Sequence, residues 1–301
     1  MSLRKRTLQT ATLQTATFEC ILLEMAAEFD GHISKFEHVC QAMDSDGDYS
    51  MMYSIDDSNG TIADELGEQG LDVMHHSGRY KITMTNVIVD LEPVITTTPS
   101  TEIIIEDLGD QRFRRLDAVT GTRSIVIFRV TTNDASPMYN AASIADSFFG
   151  IDGDPNNVKS RYAACSMNKL IFNPGTGNDF ANGVHDLAVN NYAKGINVHD
   201  LVRSTTEAVI AKFGSSLKNT YNHVVYALPR GTLVDNGGNG TDRWLAFAHL
   251  SSYLTVFNDD NIMYISNQIH EIGHNLGLMH SSHLDKEYGD QSGSMGPGYG
   301  Q

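Results

Sequence analysis

The segment QIHEIGHNLGLMH at residues 268–280 constrains this chain more than any other, because it spaces three histidines at fixed intervals. His270 and His274 are four residues apart, so on a helix they lie on one face, roughly 6 Å apart along the axis. Gly277 can adopt a positive φ, which ends the helix and turns the chain so that His280 returns beside the other two. The spacing therefore predicts a helix end at which three imidazoles come together.

Three clustered imidazoles are a typical ligand set for one zinc ion, with Zn–N distances of about 2.0–2.1 Å. They leave a fourth position for water, which is typical of a catalytic site. Glu271 follows the first ligand and is predicted to act as general base on the zinc-bound water. The competing interpretation is a helix end that is rich in histidine by coincidence. It accounts for one H-x-x-x-H pair but not for the glutamate, the glycine and the third histidine together.

A methionine follows this segment at a distance that is relevant to the type of zinc site. Met295 lies fifteen residues after His280, within the Gly- and Ser-rich stretch YGDQSGSMGPGYG at residues 288–300. A zinc motif of this spacing followed by a methionine turn is the metzincin pattern. We therefore predict that Met295 forms such a turn; the alternative is a methionine in a loose glycine-rich tail.

The part of the chain that carries the motif alternates strand-like and helix-like segments. Short apolar runs predict strands, and apolar residues at a period of about 3.6 predict amphipathic helices. Strands are predicted at residues 124–130, 169–173 and 222–228 and in the segments RWLAFAHL and SYLTVFN; helices are predicted at 140–150, 199–214 and 258–277. The last helix is expected to be capped by its initial Asn-Asp-Asp. This order predicts an α/β (α+β) fold, a mixed twisted sheet covered by helices.

The N-terminal part of the chain has a different pattern of apolar and polar residues. A short polar duplication at residues 8–17 predicts a flexible leader, and from residue 18 to about 120 β-type runs alternate with turn-rich acidic stretches, with no useful helical period. Two acidic stretches, at 44–50 and 150–157, lack EF-hand spacing and are interpreted as turns rather than calcium sites.

Cys20 and Cys40 can form a disulfide with Cys165 left over, or all three can be ordinary thiols.

Composition excludes some classes of function. The net charge of −16 disfavours binding to nucleic acid, whose phosphates are bound by clustered Lys and Arg. No apolar run approaches the ~18 residues of a membrane span. The basic start MSLRKR is followed by a polar segment, so no signal peptide is visible.

Four stretches resemble the gametolysin family of algal-type cell-wall metallopeptidases, which are metzincins. They are SIVIFRVTTNDASP, VKSRYAACSMNKLIFNP, QIHEIGHNLGLMHS and YGDQSGSMG, within residues 120–301. The resemblance implies a secreted zinc endopeptidase that cleaves extracellular or cell-wall (glyco)proteins and is made as a zymogen. It also implies that Met295 packs beneath the metal site without ligating it.

The resemblance further implies that substrate binds as an extended chain, antiparallel to an edge strand near Trp244–His249. His249 is expected to be a strand residue rather than a fourth ligand. Some metzincins carry a tyrosine two residues after the turn methionine that helps to hold the oxyanion. Here that position is Pro297 and the nearest tyrosine is Tyr299, so no residue is assigned this role.

The predicted organisation is therefore a β-rich, propeptide-like module at residues 1–120 and a metzincin catalytic domain at 121–301. Because the chain stops six residues after Met295, truncation after the methionine turn is expected. Two alternatives remain open at this point. One is a non-catalytic, zinc-stabilised wall or adhesion protein, and the other is an inactive protease fragment.

Overall fold

The computed structural model describes residues 15–29, 34–43, 49–57, 59–71, 80–89, 94–107, 119–177, 179–214, 217–235, 240–281 and 293–296. Its strands are Thr15–Phe29 (β1), Ser34–Met43 (β2), Tyr49–Asp56 (β3), Tyr80–Val89 (β4), Val94–Thr96 (β5), Glu102–Asp107 (β6), Gly121–Thr131 (β7), Leu170–Pro174 (β8), Val184–Ala188 (β9), His223–Leu228 (β10), Val234–Asp235 (β11), Gly240–Thr241 (β12), Trp244–His249 (β13) and Leu254–Asn258 (β14). Its helices are Thr61–Glu68 (α1), Ala141–Phe149 (α2), Val158–Cys165 (α3), Val198–Phe213 (α4), Leu217–Thr220 (α5) and Ile265–Asn275 (α6), with a 3-10 helix at Asp259–Met263.

Twelve of the described strands form one sheet, in the order β6-β4-β5-β3-β2-β1-β13-β14-β10-β7-β8, with β9 also pairing with β7. In its C-terminal half β14, β10, β7, β8 and β9 pair in parallel, whereas β13 is antiparallel to β14. Helices pack on this mixed sheet, so the predicted α/β class is confirmed. β13 is the strand at which the C-terminal half of the sheet meets the N-terminal strands.

The side chains of β10 show why the sheet is buried on both faces. Val224 and Tyr226 lie in the core that α4 covers, whereas Val225 and Ala227 lie in the core formed with α2, α3 and α6. Successive residues of a strand point to opposite faces, and every residue of β10 is buried. A parallel strand covered on both faces reads as a continuous apolar run, which is how His223–Leu228 appears in the sequence.

Helix ends largely follow the sequence signals. α2 begins after Asn140, whose side chain accepts a hydrogen bond from the Ser143 amide, and ends at Gly150 with φ +67°. α4 likewise ends at Gly214, as its sequence predicts.

The predicted start of the last helix was wrong. Asn258 closes β14, and Asp259 adopts φ +51° and accepts a hydrogen bond from the Met138 amide. This residue therefore takes part in a separate 3-10 turn, and α6 begins only at Ile265.

Between β3 and β4 lies one helix, α1, that the sequence analysis did not predict. α1 has only eight residues, too few to show a clear period, and it is held by Ile62 and Leu66 in an apolar cluster. Cys20 and Cys40 belong to this cluster and form a disulfide across β1 and β2, whereas Cys165 is an exposed free thiol. Of the two cysteine states left open above, the paired one is present.

The N-terminal and C-terminal strands also share a core. Ile21, Leu23 and Val39 are buried in the same cluster as Phe247 of β13 and Leu254 of β14. The predicted boundary between residues 120 and 121 stays a prediction; β6 ends at Asp107 and β7 begins at Gly121.

Other sequence-based expectations fall partly outside the described residues. The leader at 1–14, most of the acidic stretch at 44–50, Pro297 and Tyr299 lie there. The second acidic stretch contains a turn, in which the Gly153 amide donates to the Gly150 carbonyl. The Asp146 carboxylate of α2 also accepts from the amides of Asp152 and Asp154. None of the described helices is long and apolar enough to cross a membrane.

Candidate metal centre

The three predicted histidines meet at the C-terminal end of α6. His270 and His274 lie one turn apart on the helix, which ends at Asn275 with Leu276 as its C-cap. Gly277 follows with φ +88°, and the Leu278 amide donates to the Gly273 carbonyl, which closes the turn. His280 thereby returns to the helix, and one ring nitrogen from each histidine lies within 4.8 Å of the others.

All three imidazoles are buried, and two have a defined ring orientation. Nδ1 of His270 lies 2.9 Å from the Ser294 carbonyl oxygen, and Nδ1 of His274 lies 2.8 Å from that of Leu278. A carbonyl oxygen can only accept, so each Nδ1 carries a proton, and in the neutral ring of that tautomer Nε2 has the free lone pair. This is the arrangement in which a histidine ligates a metal through Nε2.

Glu271 lies beside this cluster without belonging to it. Its side chain is 1% exposed, and within the described part of the chain the group of potential ligand atoms consists of the three histidines.

Met295 packs against the same helix. A Cβ atom built on Gly273 would lie 2.5 Å from Met295 Sδ, so the methionine occupies the space that a side chain at position 273 would need. The Ser281 amide donates to the Met295 carbonyl, and the Gly296 amide donates to that of Gly293. The segment 293–296 is therefore a turn fastened to the chain just after His280.

The strand predicted to receive substrate already has a partner on its outer edge. β13 pairs with β14 on one side and, antiparallel, with the end of β1 on the other, from Met25 opposite His249 to Phe29 opposite Trp244. His249 lies in this strand and not in the histidine cluster, as expected, and burial lowers its pKa to about 3.

Sequence reasoning missed the polar contacts that fasten α6 to the rest of the molecule. The Tyr162 hydroxyl of α3 donates to the Ile269 carbonyl, and burial raises the pKa of that tyrosine. At the C-terminal end of α6, Asn275 bonds to the β13–β14 hairpin through the His249 and Leu254 carbonyls and the Thr255 hydroxyl. A threonine inside the apolar run of β14, and an asparagine directly after the second histidine, were the available signals.

Comparison with known proteins adds one finding. A family model described as Gametolysin peptidase M11 matches residues 124–300, more than half of the chain. The matched range contains the three histidines, Glu271 and Met295. Neither the curated proteins nor the solved structures gave a match.

Proposed function

Since the chain belongs to the gametolysin peptidase M11 family, and is thus a metallopeptidase, we propose that it is a zinc-dependent endopeptidase with Glu271 as general base. The observation that carries the proposal is the buried cluster of His270, His274 and His280 beside a buried glutamate. Among the described residues the group supplies three nitrogen ligands, and a three-ligand set fits catalytic zinc better than a closed structural site.

In this proposal the protein residues orient the reacting groups and move the proton. Zinc, when bound by the three histidines, supplies a Lewis acid that polarises the scissile carbonyl and makes water more acidic. The Glu271 carboxylate takes a proton from the attacking water and returns it to the amine that leaves. One water is consumed, the C–N bond breaks, and a carboxylic acid and an amine form.

We further propose that β13 holds the substrate as an extended chain and that β1 keeps the enzyme latent. Residues 25–29 run antiparallel to β13, the direction expected for substrate, and use the same backbone edge. Substrate and β1 therefore compete, which supports a zymogen in which this part of β1 must leave the edge.

The proposed substrates are extracellular or cell-wall (glyco)proteins, and the proposed location is outside the cell. The Cys20–Cys40 disulfide supports this, because disulfides persist mainly in oxidising compartments.

The central test combines metal content with proteolysis of a hydroxyproline-rich wall glycoprotein. Glu271→Gln keeps the size of the side chain but cannot accept the proton, so it should retain zinc and lose at least ~100-fold in kcat. His274→Ala should lose zinc. Equal cleavage by the wild type and Glu271→Gln would refute the general-base role.

Latency is tested by two matched proline variants in β1. Ala27→Pro removes the amide of a residue that lies between Phe247 of β13 and Lys35 of β2, whereas Ala16→Pro removes one opposite Val87 of β4. Only Ala27→Pro should raise the cleavage rate, and the gain should disappear when Glu271→Gln is added. Equal rates in the two variants would argue against β1 as the inhibiting strand.

A non-catalytic, zinc-stabilised wall or adhesion protein is the second candidate, favoured by the pairing of the β13 edge with β1. It predicts stoichiometric zinc with no cleavage by the wild type or by Ala27→Pro.

A further inference from the structure

One buried side chain joins the helix that carries the metal ligands to the strand proposed to hold substrate. Asn275 is the last residue of α6 and is 5% exposed. Its Nδ2 donates to the carbonyl oxygens of His249, at 2.9 Å, and Leu254, at 3.0 Å. Its Oδ1 accepts from the Thr255 hydroxyl at 2.8 Å. Both amide hydrogens and the amide oxygen are therefore used, and the orientation of the amide is defined.

The two carbonyls belong to the residues on either side of the loop that joins β13 to β14. His249 is the last residue of β13 and Leu254 is the first residue of β14. Between them, the Ser251 amide donates to the carbonyl of His274, the residue before Asn275. The hairpin is thus fastened to α6 immediately beside a predicted metal ligand.

The middle and the C-terminal end of α6 are held by different contacts. Near the middle of the helix, the Ile269 carbonyl accepts from Tyr162 of α3, and Ile272 packs among the buried residues of the α2–α3 core. The Tyr162 bond does not involve β13, whereas the cluster around Ile272 also contains Ala246 of β13, so that contact with the strand is apolar packing. In contrast, Asn275 bonds directly to a residue of β13.

From this arrangement we infer that Asn275 is a positioning residue for peptide hydrolysis, which sets the distance between β13 and the metal ligands. The inference rests on the proposed function, because it takes β13 as the substrate strand and the histidines as metal ligands. A peptide aligned on β13 reaches the metal with its scissile carbonyl in place only when that distance is held, and a misplacement of about 1 Å can cost about 10²-fold in rate.

The chain offers a matched control in the same network. Thr255→Val removes the hydroxyl that bonds to Asn275 Oδ1 but leaves both bonds from Nδ2 to the hairpin carbonyls. Asn275→Ala removes all three. A purely structural role predicts that both variants lose stability and that neither alters the position of β13 relative to the metal.

The first measurement does not depend on activity. The full chain is loaded with Co²⁺, and paramagnetic shifts of backbone amides are recorded for β13 and α6 by NMR. Asn275→Ala should change the shifts across β13 while those of α6 hold, and Thr255→Val should leave both sets as in the wild type. Should Asn275→Ala fail to fold, Asn275→Ser is measured instead; its hydroxyl can donate one of the two bonds, so an intermediate change is expected.

The second measurement compares two peptide substrates on the form of the enzyme that cleaves. One is long enough to lie along β13, and the other is a short fluorogenic peptide that reaches only the metal centre. Asn275→Ala should lower kcat/KM for the long peptide by roughly tenfold relative to the short one. Thr255→Val should keep the wild-type ratio.

The outcomes distinguish failure of the proposed function from failure of this inference alone. A wild type that binds no metal, or binds it and cleaves nothing in any form, refutes the proposed function and the inference with it. A wild type that cleaves, with β13 shifts and substrate ratio unchanged in Asn275→Ala, refutes the inference alone. Equal changes in Asn275→Ala and Thr255→Val would also overturn it.

Discussion

Acid should destabilise this protein through a histidine that lies outside the metal centre. His223 begins β10, is 3% exposed, and packs edge-on against the Phe172 ring with 5.4 Å between ring centroids. Burial lowers its pKa from 6.5 to about 4; repulsion by Arg123 adds to this, and the Asn275 side chain opposes it. The folded protein therefore favours the neutral ring.

The expected magnitude follows from the difference in pKa between the folded and unfolded chains. The unfolded chain binds a proton at His223 near pH 6.5, whereas the folded chain resists protonation until about pH 4. Each unit of difference is worth about 1.4 kcal/mol, so this residue accounts for about 3 kcal/mol. Because the folded pKa is the lower one, that stability is present above about pH 6.5 and is lost as the pH falls to about 4.

The assay is urea unfolding of the full chain at intervals between pH 7.5 and 4. His223→Phe keeps a ring of similar size but cannot ionise. Relative to the wild type, its free energy of unfolding should gain about 3 kcal/mol between the two ends of this range. Contributions from groups that both proteins share, including the other histidines, cancel in the comparison.

Val225→Ala, on the same strand and fully buried, is the control. It should lower stability by a similar amount at every pH, because the loss comes from packing and not from a proton. Parallel curves for the wild type and His223→Phe would refute the assignment of this acid sensitivity to His223.

Three further perturbations have definite expected results. Gly277→Ala places a side chain on a residue with φ +88°, with its Cβ 3.0 Å from Ser251 Oγ, so zinc affinity measured by chelator competition should fall. An unchanged affinity would contradict the role given to this turn. Gly273→Ala should displace Met295, whose Sδ lies 2.5 Å from the new Cβ, and cost about 1–3 kcal/mol in thermal unfolding; no cost would mean that the helix and the turn are loosely packed. Cys20→Ser removes a disulfide that spans 20 residues and should lower the free energy of unfolding by about 3 kcal/mol. If a reducing agent lowers the melting temperature of Cys20→Ser as much as that of the wild type, the effect of the reducing agent does not come from this disulfide.

The elements that could be predicted from sequence are those whose signals are local. Gly150 and Gly214 end α2 and α4 because the residues that stop a helix are its immediate neighbours. The start of α6 could not be predicted in this way. Asp259 looks like a helix cap in sequence, but its carboxylate is used by the Met138 amide, 121 residues away in the chain.

The same distinction holds at the metal centre. The spacing of His270, His274, Gly277 and His280 determines by itself that three imidazoles can meet, because helical periodicity and a residue that tolerates positive φ suffice. Only the tertiary structure decided that β1 pairs with β13 and that Asn275 bonds to the ends of the β13–β14 hairpin. Backbone edges and buried carbonyls are the same for every residue type, so the partner that each one takes depends on which distant segments folding brings beside it. A buried asparagine can signal that such a partner exists, but local sequence does not say which one it is.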